Sequence, residues 1–142
     1  MATNTGIALA DEQHVSDLLR EHDIMPTQQR VGIARVMLAR HQHLSAERLL
    51  DEVKHHQAGV SKATIYNTLG LFVSKGLVRE VIVEAGRVFY DSNIEAHHHI
   101  FNVDSGTLSD IPAQAVNIEG LPDLPEGVRV DGIDVVVRVR NS

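Results

Sequence analysis

The sequence contains no cysteine. That absence removes a disulfide scaffold, a thiolate zinc site, an iron–sulfur centre and a cysteine nucleophile in one step. Long apolar runs are missing as well: no window approaches the roughly 18 unbroken apolar residues of a membrane span. The first residues carry no basic-then-apolar signal pattern, so the expected location is the cytoplasm, without a membrane partner. No serine sits in the glycine-flanked elbow that nucleophilic hydrolases use, and a non-enzymatic role is expected. Disorder is disfavoured, because 43% hydrophobic and 23% charged residues is the composition of an ordinary globular protein. The 142 residues allow one domain or two very small ones.

The formal net charge of −6, taken over the whole chain, argues against nucleic acid as a partner. The distribution reverses that inference. Residues 1–90 hold ten Lys+Arg and ten Asp+Glu, whereas residues 91–142 hold three Arg against nine acids. Within 20–80, nine basic side chains meet six acidic ones. A neutral-to-basic module, 1–90, is therefore followed by an acidic one, 91–142.

Residues 1–10 are small and uncharged, an arm expected to be loosely ordered. Val15, Leu18, Leu19 and His22 predict a short amphipathic helix over 11–22. Met25-Pro26-Thr27 breaks it, and Thr27 can cap a second helix running to about Arg40, with Val31, Ala34, Met37 and Leu38 inward. Residues 41–44 read as a connection. Ser45 can cap a third helix, in which Ala46, Leu49, Leu50 and Val53 share one face. Ser61 can cap a fourth, with Ile65, Leu69, Phe72 and Val73 inward and Gly76 as its stop. The period then changes: residues 78–83 and 87–90 flank Glu84-Ala85-Gly86 as a hairpin. Helix, turn, helix and a two-stranded wing make a winged helix-turn-helix. Residues 98–103 and 107–111 form a second hairpin about Asp104-Ser105-Gly106, and Pro112, Pro122 and Pro125 mark an irregular connection. A last strand alternates Ile133, Val135, Val137 and Val139 with a largely charged face.

Two clusters carry chemistry. On the fourth helix Lys62, Ala63, Tyr66 and Asn67 lie off the apolar stripe. Lys62 and Thr64 can reach phosphates or purine acceptors, Tyr66 can pack on a thymine methyl, and Asn67 can pair with adenine. Arg30 and Arg79 could clamp phosphates on either side. A solvated helix face would show the same residues; the wing and the local positive charge favour DNA. The second cluster is His97-His98-His99 at the start of a strand, where alternation sends His97 and His99 to one side and His98 to the other. With Asp91 before it and Asp110 on the next strand, the set suits Fe(II), Mn(II) or Zn(II). A polar strand end in a histidine-rich chain is the plainer alternative.

The order Met25-Pro-Thr-Gln-Gln-Arg30, His43-Leu-Ser-Ala-Glu47, Ala63-Thr-Ile-Tyr-Asn-Thr-Leu69, Gly76-Leu-Val-Arg-Glu80, Phe89-Tyr-Asp91, the histidine run and Ser109-Asp-Ile111 resembles the ferric uptake regulator family. The resemblance covers about residues 11–140. It implies an α+β protein: an N-terminal winged helix-turn-helix, followed by a small α/β dimerisation domain with a three-stranded antiparallel sheet. The implied function is that of a homodimeric repressor or activator that binds double-stranded promoter DNA in response to metal. Carried over position by position, the regulatory metal site falls on His43, Asp91, His97, His99 and Asp110. Those donors suit Fe(II) or Mn(II), with Zn(II) as an occupant in vitro. The DNA contacts are expected from Thr27, Arg30, Lys62, Thr64, Tyr66, Asn67 and Arg79.

The chain also departs from the family pattern. Asn102 and Ser105 stand where the family has paired cysteines, so a Cys-type structural zinc is not expected. A further family site would need ligands where this chain has Ala96, Asn117 and Ile133. The helix after the second hairpin is replaced by the proline-interrupted stretch 112–126, and Asn67 replaces a common arginine. These departures and the histidine run resemble the iron response regulator subgroup, which implies heme as an alternative cofactor, with His98 as an additional heme or metal candidate. A peroxide-sensing or manganese-responsive regulator of the same fold, and a metal-binding protein without a DNA function, are the rival readings.

Overall fold

Each α-helix begins where a short polar side chain can accept from an otherwise unpaired backbone N–H. The computed structural model describes residues 9–142, so the expected N-terminal arm lies outside the described residues except for Leu9 and Ala10. The chain divides into two units, Met1–Ile94 and Glu95–Ser142. In the first, Asp11 caps α1 (Glu12–Glu21), Thr27 caps α2 (Gln28–Met37), Ser45 caps α3 (Ala46–Lys54) and Ser61 caps α4 (Lys62–Ser74). Each cap oxygen accepts the N–H three residues on, at 2.9–3.3 Å. α4 stops at Gly76, whose φ of 77° is a left-handed conformation that costs glycine little. There the N–H of Gly76 donates to Val73 and that of Leu77 to Phe72. The inward stripes meet in a core where Leu19, Ile33, Met37, Leu49, Ile65, Leu69 and Phe72 are fully buried.

Two features of this unit depart from the sequence reading. α2 ends at Met37 rather than near Arg40, because the Gln42 amide donates to the Val36 and Met37 carbonyls at 2.9 and 3.0 Å and closes the helix end. The stretch read as a connection contains a short strand, β1 (His43–Leu44). It pairs antiparallel with β3 (Arg87–Asp91), which also pairs with β2 (Arg79–Glu84), giving the order β1-β3-β2. Ser92 fastens this edge: its hydroxyl donates to Arg40 O at 2.8 Å and accepts from the Gln42 N–H at 3.0 Å. Asp91 therefore belongs to β3 of the first unit, and the division falls after Ile94 rather than after residue 90.

The second unit is built on β4 (His97–Asn102), with β5 (Leu108–Pro112) and β6 (Val136–Val139) on its two sides. β5 runs antiparallel to β4, as the hairpin requires. β6 runs parallel to β4, so the sheet is mixed, not wholly antiparallel. The reason is geometric: β5 returns the chain to the end where β4 starts, with His97 opposite Pro112. A strand that begins there on the other edge of β4 must run alongside it. Among its described residues this unit has a 3-10 turn at Ala113–Ala115 and no α-helix, which corrects the α/β expectation for this half. The proline-interrupted stretch 112–126 carries only that 3-10 turn and no α-helix. β6 is shorter than the alternating run, and Ile133 and Val137 of the expected apolar face are exposed.

The β4–β5 turn, where cysteines are absent, is held by hydrogen bonds. Asn102 Oδ1 accepts the N–H groups of Asp104 and Ser105 at 2.9 and 3.0 Å, and its Nδ2 donates to Asn141 Oδ1 at 2.9 Å. Asp104 in turn accepts the Asn141 N–H at 2.8 Å. Asn102→Ala removes three of these bonds. It should speed amide exchange at Asp104 and Ser105 several-fold, a local loss of about 1 kcal/mol. Unchanged exchange at both amides would show that the turn holds without this side chain.

Candidate metal centre and nucleic-acid face

Strand register places the donor residues. In the first unit β1 pairs with β3 so that His43 stands opposite Asp91, and His43 Nε2 lies 3.2 Å from Asp91 Oδ2. Asp91 is buried, and its other oxygen accepts the Asn93 N–H at 2.9 Å, which fixes how the carboxylate faces the imidazole.

In the second unit His99 stands opposite Asp110, with His97 two residues along on the same face. Asp110 Oδ1 lies 3.5 Å from His97 Nε2 and 3.6 Å from His99 Nε2. The two rings meet edge-on, 4.5 Å between centroids. Both histidines are buried while Asp110 is exposed. His97 Nδ1 bonds the Glu95 carbonyl, and a carbonyl oxygen can only accept, so the proton sits on Nδ1. In the neutral ring Nε2 then presents a lone pair toward a carboxylate oxygen. Two acceptors held face to face need a cation between them, which a proton on Nε2 or a divalent ion can supply, and a divalent ion bound by nitrogen and oxygen fits the donors present. The donors present, imidazole and carboxylate without thiolate, suit Fe(II), Mn(II) or Zn(II).

His98 faces the other way. Its Nδ1 accepts the Val135 N–H at 3.1 Å and so ties the approach to β6 onto β4. The structure thus groups His43 with Asp91 and His97 with His99 and Asp110, and leaves His98 apart from its neighbours' shared carboxylate.

The polar face of the first unit falls into two parts. Thr27, Arg30, Thr64 and Asn67 line one concavity of about 520 Å³, together with Gln28, Gln29 and Thr68, which the sequence reading did not single out. Arg30 Nη1 donates to Met25 O at 3.1 Å, and the Thr64 and Ser61 hydroxyls pair at 3.0 Å. Lys62 and Tyr66 border a different region: the Lys62 Nζ lies 5.8 Å from the centre of the Tyr66 ring. The Tyr66 hydroxyl donates to Glu47 Oε1 at 2.8 Å. That bond raises the Tyr66 phenol above its usual range and lowers the Glu47 carboxyl. Glu47 was also missed, since nothing local links residues 19 apart. Arg79 sits on β2 opposite Asp91, away from the concavity that holds Thr27 and Asn67. No helix among the described residues is long and apolar enough to cross a membrane.

Comparison with known proteins adds the following. A model of the ferric uptake regulator family matches residues 21–126. A peroxide-responsive repressor PerR of Staphylococcus aureus is 30% identical over 99 residues, 70% of this chain and 67% of that protein. The ferric uptake regulator of Pseudomonas aeruginosa, solved with manganese, superposes with a TM-score of 0.67 at 24% identity, over 89% of this chain and 96% of that one. The Campylobacter jejuni peroxide stress regulator superposes with a TM-score of 0.60 at 20% identity, over 92% of this chain and 95% of that one. At these identities the two structures speak to the fold.

Asp110→Asn keeps the size of the side chain and removes its charge. Calorimetric titration with Mn(II) should show affinity falling roughly tenfold or more. His98→Ala should leave Mn(II) affinity near the wild-type value while lowering thermal stability, because it loses only the tie to Val135. Comparable losses of affinity in both variants would make His98 a ligand and overturn the grouping.

Proposed function

The chain belongs to the ferric uptake regulator family, and from that premise we propose that it is a homodimeric, metal-responsive DNA-binding transcriptional regulator with Fe(II) or Mn(II) as its resident ion. The observation that carries this reading is Asp110 facing the Nε2 atoms of His97 and His99. We take these three residues as ligands, with His43 and Asp91 completing the set as the family resemblance implies. When bound, the ion supplies the positive charge that these imidazoles and carboxylates share. An ion taking donors from both units would favour one arrangement of the two and, through the dimer, one spacing of the paired reading helices. Thr27, Arg30, Lys62, Thr64, Asn67 and Arg79 position the protein on phosphates or bases, and Tyr66 reads a base edge. Exposed Leu121, Leu124, Val128, Val130, Ile133 and Val137 in the second unit support a second copy as the partner that covers them. The site of action is the cytoplasm, and the role is regulatory, not catalytic.

The ion is preferred to the heme implied by the iron response regulator resemblance. His97, His98 and His99 are all buried, and His98 already accepts a backbone N–H. A porphyrin needs an imidazole presented to an open pocket. Peroxide sensing is a second reading, favoured by the name of the Staphylococcus aureus relative. It predicts that the iron-loaded protein treated with hydrogen peroxide gains one oxygen on His97 or His99, read by peptide mass spectrometry.

The test of the main reading uses a duplex enriched from a random-sequence pool by the Mn(II)-loaded protein. Wild-type affinity for it should change on adding or removing Mn(II), and should fall steeply with salt as phosphate contacts release counterions. The His97→Ala, His99→Ala double variant should stay dimeric and lose the metal response. A full response in that variant would show the sensing site to be elsewhere. Metal binding without any duplex binding would favour a storage or delivery module.

A further inference from the structure

Tyr66 is an exposed aromatic on the reading helix, 40% accessible, and it lines a cavity on its wing side. Between it and the wing lies a cavity of about 250 Å³ lined by Ala46, Glu47, Gly86, Val88 and Tyr90. A phenol ring beside unfilled space has two places to go: outward, where the groove of a duplex would be, or inward against Val88 and Tyr90. The hydrogen bond from the Tyr66 hydroxyl to Glu47 Oε1, at 2.8 Å, ties the ring to the first turn of α3. The Ser45 cap fixes that turn, with the Arg48 N–H donating to Ser45 Oγ at 3.1 Å. Lys62 Nζ lies 5.8 Å from the ring centroid and adds a weak second hold.

We propose that Glu47 is a positioning residue for DNA recognition: it anchors the Tyr66 hydroxyl so that the ring, not the hydroxyl, meets the bases. The assignment rests on the DNA-binding reading above and deepens it. A carboxylate on a DNA-facing surface repels phosphate and lowers affinity for every duplex alike. Its presence beside the reading helix makes sense where fixing Tyr66 contributes more to discrimination than the charge costs in general affinity. With its proton committed to Glu47, the hydroxyl does not serve as a phosphate donor. Tyr66 therefore contributes through the apolar ring, which suits contact with a thymine methyl. Glu47 touches no base itself; it acts through Tyr66.

The test measures the ratio of affinities for the enriched duplex and for a scrambled duplex of the same composition, at fixed salt. Glu47→Ala should lower that ratio roughly three- to tenfold while leaving affinity for the scrambled duplex unchanged or higher. Glu47→Gln, whose amide oxygen can still accept from the phenol, should recover most of the ratio. Tyr66→Phe should resemble Glu47→Ala, and the double variant should be no worse than either single one. A readout without DNA follows the tyrosine ring resonances through a pH titration, where Glu47→Ala should bring the Tyr66 phenol back toward its ordinary range. A ratio unchanged in Glu47→Ala, or losses that add in the double variant, would overturn the assignment even if the wild type discriminates well. A wild type that binds both duplexes equally would instead overturn the DNA reading, and this assignment with it.

Discussion

Two buried imidazoles aimed at one carboxylate set the terms for the second unit. Burying polar rings is costly unless each nitrogen is satisfied. His97 meets that demand at Nδ1 through its bond to the Glu95 carbonyl, while Nε2 faces Asp110 across a gap that a cation would fill. The arrangement requires a definite β4–β5 register, because a slip of one residue would turn Asp110 to the opposite face. Asn102 and Asp104 help fix that register by closing the turn and tying it to Asn141. In a chain without cysteine, hydrogen bonds hold the turn that presents the donors. His98, on the other face, fastens the start of β6. Adjacent histidines thus divide the work by the alternation of a strand.

What the sequence disclosed follows the range of the interactions. The four helices and the caps Thr27, Ser45 and Ser61 were legible because a cap spans three residues and an apolar stripe repeats every turn, whereas Asp11 was read as part of the first helix and not as its cap. The shared face of His97 and His99 was equally local, and Asp110 could be placed by counting across a short hairpin. The pairing of His43 with Asp91 spans 48 residues and entered only through the family resemblance. The two-residue β1 carries too few positions for a period, and its formation depends on Ser92 and Gln42. The parallel direction of β6 depends on the end of β4 from which the chain enters that edge, and alternation along the strand does not encode that choice.

The uneven charge gains meaning from the same geometry. The acids beyond residue 90 include Asp91 and Asp110, both held against histidine. Acidic excess beyond residue 90 leaves residues 1–90 with equal numbers of basic and acidic side chains, which is compatible with the proposed DNA-facing role of that part. Glu47 qualifies that division, since it is a carboxylate bonded to Tyr66 on the side proposed to read DNA. Net charge reports on long-range attraction, whereas a single carboxylate in a hydrogen bond can serve orientation.

The central claim is that this chain holds a metal ion through histidine and aspartate. X-ray absorption spectroscopy of the iron-loaded protein addresses it most directly. The account predicts a first shell of nitrogen and oxygen, with the outer-shell scattering of imidazole and no sulfur. A porphyrin signature, or iron bound equally well after His97 and His99 are replaced, would contradict it.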